Sequence, residues 1–71
     1  VKIYPNPVSD LLTIDYDKAF TANIYNVNGL LVDQVKSNNN KIDVSKLTNG
    51  IYFIKLQTDL ETLAFQKFIK L

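Results

Sequence analysis

Histidine and cysteine, the two side chains that carry most protein chemistry, are both missing from the 71 residues. No imidazole can serve as a general base, no thiolate can act as a nucleophile, and no zinc site of the usual nitrogen and sulfur ligands can be assembled. What remains is oxygen chemistry. Asp15 and Asp17 fall on one side of an extended segment, and Asp33 and Asp43 could approach them as a carboxylate pair for acid–base work. Asp15 and Asp17 with Asn38, Asn39 and Asn40 also offer hard oxygen ligands suited to calcium, although their spacing fits no calcium-loop motif. Acids near strand ends are ordinarily a solvated face, and that reading is preferred for both sets. Gly29 and Gly50 each follow an asparagine and belong to no phosphate cradle, so they read as turn residues. Tyr4, Tyr16, Tyr25 and Tyr52 could stack on sugar rings, but in a chain without tryptophan they read better as core or cross-strand pairs. The chain is expected to be no enzyme and to use no cofactor or metal.

The elements that would position these residues are all strands. Short runs rich in β-branched and aromatic residues alternate in polarity and are separated by Asn, Gly, Asp, Ser and Pro, and no segment keeps a helical period. The runs are 1 to 4, 11 to 16, 20 to 26, 30 to 36, 41 to 44, 51 to 58 and 63 to 71. Pro5-Asn6-Pro7 ends the first, because proline removes a donor and pushes the preceding residue into extended geometry. Asn28-Gly29 matches the tight primed turn of a hairpin. Residues 45 to 50 form a turn from which Leu47 is expected to plug the core, and Asp59 to Thr62 close a final hairpin. Seven short strands without helical crossovers indicate an antiparallel β-sandwich formed by one domain, residues 1 to 71.

A chain of this size buries only about 60% of its unfolded surface, so one economical core is all it can hold. The composition, 46% hydrophobic, suits such a core. Eight lysines are spread singly from Lys2 to Lys70 against seven acids, which leaves a net charge of +1 and no basic patch for nucleic acid. Apolar runs are too short for a membrane span, and neither an initiator methionine nor a charged-then-apolar leader opens the sequence. The chain is therefore expected to be a piece of a larger secreted protein, with any export leader upstream.

Four sequence blocks carry a family resemblance. They are Val1 to Asp10 with Ile3-Tyr4-Pro5-Asn6-Pro7, Ile24 to Gly29 with Asn28-Gly29, Leu47 to Lys55 with Gly50-Ile51-Tyr52, and Lys67-Phe68-Ile69-Lys70. In this order and spacing they resemble the type A C-terminal sorting domain of the type IX, or Por, secretion system of Gram-negative bacteria. The resemblance implies an immunoglobulin-like sandwich of about seven strands at the end of a cargo protein. The cargo would pass through the periplasm and reach the cell surface or the medium, so the implied partners are the type IX translocon and its shuttle components. A sortase-like cysteine protease that removes the domain and attaches the cargo to the surface is implied as well. Three departures from the family pattern stand out: Asn26 occupies a position where aspartate is common, there is no arginine, and no two lysines adjoin near the end.

Tyr4, Pro5, Asn6, Pro7, Asn28, Gly29, Gly50 and Tyr52 are expected to be structural members of these motifs. Lys67, Phe68, Ile69 and Lys70 are expected to meet the translocon, the strand edge adding main-chain bonds and the lysine heads adding charge selectivity. The rival expectation is a carbohydrate-binding or adhesin-type sandwich, which requires the tyrosines to converge at the surface.

Overall fold

The computed structural model describes residues 1–71 as an all-β sandwich. Its strands are β1 (Ile3–Tyr4), β2 (Leu11–Ile14), β3 (Phe20–Tyr25), β4 (Leu31–Ser37), β5 (Lys41–Asp43), β6 (Gly50–Gln57) and β7 (Thr62–Lys70). One sheet has the order β1-β2-β5 and the other β4-β3-β6-β7, and every ladder within them is antiparallel. All seven expected strands are present; β2 stops at Ile14 rather than continuing to Tyr16.

Alternation decides which side chains enter the core. Leu12 and Ile14 on β2, Ala22 and Ile24 on β3, and Tyr52, Ile54 and Leu56 on β6 are buried between the sheets. Ile42 and Val44 enter from the β5 side and Phe68 from β7. Leu47, carried by the turn after Val44, packs against this cluster as its sequence position suggested. The 13-residue core draws side chains from both sheets.

The Asn28-Gly29 hairpin forms, but with a different turn from the primed one expected. Only Gly29 has a positive φ, +82°. Its N–H donates to the Asn26 carbonyl at 3.0 Å, while Asn26 N–H donates to the Leu30 carbonyl at 2.9 Å. This is a type I turn completed by a glycine bulge. The Asn26 carboxamide oxygen selects it by accepting the N–H groups of Asn28 and Leu30 at 2.9 and 3.1 Å. An asparagine oxygen thus does at position 26 what a carboxylate would do.

Gly50 opens β6 with φ +153°, a conformation that side chains disfavour even though a Cβ there would meet nothing closer than Tyr52 at 4.0 Å. Two residues on, the Tyr52 ring is buried and its hydroxyl donates back to the Thr48 carbonyl at 2.8 Å. A buried tyrosine tied to backbone upstream at this corner is the device by which Greek-key sandwiches pin the turn between sheets. Tyr52→Phe is expected to lower stability by about 1 kcal/mol, read as a shifted denaturant midpoint at constant slope.

In the preceding turn, Ser45 holds the Asp43 carboxyl below its usual value of 3.8, through its hydroxyl first and its backbone N–H second, with Lys46 adding to the effect. The fold therefore favours the ionised acid. That contribution is complete above pH 3.8 and fades as pH falls through the lower native value.

Candidate recognition surface

Everything about the last strand follows from where the first ends. β1 pairs with β2 in the three-stranded sheet, but Pro5 and Pro7 have no N–H and cannot extend that ladder. The chain leaves the sheet and crosses to the other one, where Val8 makes a parallel bridge with Lys70. Val8 N–H donates to the Ile69 carbonyl at 2.9 Å, and Leu71 N–H donates to the Val8 carbonyl at 2.8 Å. Between the prolines, the Asn6 side chain acts as a strand residue would. Its amide nitrogen donates to the Lys67 carbonyl at 3.1 Å, and its oxygen accepts the Ile69 N–H at 2.9 Å. The Tyr4 to Pro7 motif is thus a latch that seals the C-terminal half of the β7 edge. Asn6→Ala removes both side-chain bonds in a solvent-exposed setting and is expected to cost about 1–2 kcal/mol, with faster amide exchange at Ile69 as the specific sign.

Two features of this arrangement bear on the expected recognition surface. The edge beside Lys67, Ile69 and Leu71 is occupied by Asn6 and Val8, so a partner strand cannot add there. Nor are the four residues presented together. Phe68 is fully buried and stacks on Tyr52 with ring centroids 5.6 Å apart. Lys70 is also buried, and its Nζ donates to the Leu71 carbonyl at 2.7 Å. Only Lys67 and Ile69 face outward. A joint reversal of Lys67 and Lys70 would mix recognition with folding, because the Lys70 stem is packed inside.

The other candidates disperse. Tyr4 is half exposed on β1, Tyr16 meets Phe20 edge-on at 6.2 Å, Tyr25 lies on the outer side of β3, and Tyr52 is in the core. They form no common platform. The acids likewise do not gather into a group of three that could hold a cation.

Sequence reasoning did not single out Ile51, Phe53, Lys55 and Phe65, which lie beside Tyr25, Lys67 and Ile69 on the outer face of the four-stranded sheet. There the register sets Tyr25 beside Phe53, Phe53 beside Lys67, Lys55 beside Phe65, and Ile51 beside Ile69. Phe53 and Phe65 stack nearly parallel across one diagonal, with centroids 5.9 Å apart and planes 6° apart. Phe65 is 64% exposed, and Ile51 and Ile69 are also open to solvent. A strand with only one covered face should be polar on the other, and β6 and β7 are apolar on both. That double-sided pattern was the available signal.

Comparison with known proteins places this geometry in context. A family model described as a secretion system C-terminal sorting domain matches residues 2–71. Beta-agarase D of Zobellia galactanivorans is 34% identical over 56 residues, a match that covers 79% of this chain and 12% of the agarase. A solved structure of PorZ, a bacterial surface component of the type IX secretion system of Porphyromonas gingivalis, has the same fold, with a TM-score of 0.74 and 17% identity over 99% of this chain. This chain spans 11% of that structure.

Proposed function

This chain belongs to the secretion system C-terminal sorting domain family, and we propose on that premise that it is a folded, non-catalytic type A address label at the end of a larger cargo protein. The observation that carries the reading is the family match over residues 2–71, whose first and last motifs turn out to be one physical unit. The cargo enters the periplasm by its own leader, the domain presents it to shuttle and translocon components of the type IX system, and the cargo emerges at the surface or in the medium. A sortase-like cysteine protease then removes the domain and attaches or releases the cargo. The agarase match supports this reading because it too covers only a small part of a long protein, 12% of it. The structure has no helix long and apolar enough to cross a membrane.

The test is transplantation. A periplasmic fluorescent reporter ending in residues 1–71 should reach the outside of a type IX-competent cell, and mass spectrometry of the exported reporter should show the domain removed. Retention of a folded fusion inside the cell would overturn the sorting reading; export with the domain still attached would overturn the removal step alone.

A further inference from the structure

We propose that the outer face of the β3-β6-β7 sheet is the docking surface of this domain, and that its occupant is a protein surface carrying an apolar side chain within a ring of carboxylates. The inference rests on the sorting reading and names the chemistry of the partner that reading requires. It begins with a checkerboard. Because Phe53 pairs with Lys67 and Lys55 with Phe65, the aromatic rings take one diagonal of the β6–β7 hairpin and the ammonium groups the other. Tyr25 extends the aromatic row onto β3, and Ile51 and Ile69 extend the apolar area along the hairpin.

Charge on this face is one-sided. The outward positions of the three strands are Thr21, Asn23, Tyr25, Ile51, Phe53, Lys55, Gln57, Phe65, Lys67 and Ile69, and none is acidic. The chain as a whole is nearly balanced, with eight basic and seven acidic groups, so the asymmetry belongs to the face and not to composition. A cluster of aromatic side chains bordered by lysines is how interfaces build an apolar centre inside a charged rim. Beside it, between the Asn26–Gly29 turn and the Phe53–Phe65 pair, lies a shallow groove of about 370 Å³. It is wide enough for one side chain of the partner. This also gives the Gly29 turn a place in recognition, since the turn forms one wall of that groove.

Two alternative occupants fit less well. A neutral sugar stacked on the exposed Phe65 ring would leave the flanking Lys55 and Lys67 without a counter-charge. A second copy docked through the same face would offer no carboxylate to Lys55 and Lys67, since that face carries none.

The experiment uses the same reporter ending in residues 1–71. Lys55→Glu with Lys67→Glu reverses the charge of the face, and Phe65→Thr removes the exposed ring while keeping a residue that favours strands. Each should leave the melting transition in place and reduce surface delivery about ten-fold or more, and Lys→Arg at both positions should restore it. A photoreactive phenylalanine analogue at position 65 should crosslink to an acidic component of the export machinery. Wild-type delivery by the folded charge-reversed variant would overturn the proposal, as would a crosslink to a second copy of the chain. If the wild-type reporter itself stays inside, the sorting reading fails and this inference with it; if only the variants behave as wild type, this inference alone fails.

Discussion

Phe68→Ala is expected to cost about 3–5 kcal/mol, enough to unfold a large share of the molecules at 37 °C. Phe68 has no exposed surface and fills the space between the sheets, stacked on Tyr52. Removing the ring leaves a cavity that short strands cannot collapse around without losing the β6–β7 register, and with it the Tyr52 hydroxyl bond to Thr48. Thermal unfolding followed by circular dichroism checks the effect. It also separates two explanations of why a C-terminal motif matters, because Phe68 belongs to Lys67-Phe68-Ile69-Lys70 by sequence and to the core by structure. Loss of export in Phe68→Ala should track loss of fold, whereas loss in Lys67→Glu should occur with the fold intact.

The second large effect is at the latch. Val8 is 1% exposed, and its backbone holds the β7 edge through bonds to Ile69 and Leu71. In Val8→Asp an isolated carboxylate would have to enter the core, a penalty several times larger than that of a lost methyl group. The protein avoids it by releasing the segment. Stability should drop by at least about 3 kcal/mol, and the uncovered strand edge should make the variant associate as concentration rises. Sedimentation at two concentrations checks the second effect. A variant that stays monomeric and as stable as the parent would show that the Val8 bridge contributes little.

Much of this was legible in the sequence because alternation and turn chemistry are local. Runs such as Leu12 to Asp15 state both the strand and its inward face, and Asn-Gly states a hairpin. The turn type was not legible from Asn28-Gly29, since that pair suits both a primed turn and a type I turn with a bulge, and the choice is made by the Asn26 side chain. The latch was hidden for another reason. Asn6 finds its partners 61 and 63 positions away, and no spacing along the chain announces such a contact. Lys70 was misplaced although its parity was readable. It shares a face with Phe68, and a lysine stem can follow an aromatic inward if its head finds an oxygen, as it does at Leu71. The outer aromatic face was not legible, since the sequence shows apolar residues at both parities without saying which parity is covered.

The most direct measurement is the surface and medium fraction of a reporter ending in residues 1–71, compared between a type IX-competent host and the same host lacking the outer-membrane translocon. The folded domain should deliver the reporter in the first host and leave it in the periplasm of the second, while the Phe68→Ala fusion stays inside in both. Equal delivery in the two hosts, or full delivery by an unfolded Phe68→Ala domain, would contradict a folded sorting signal.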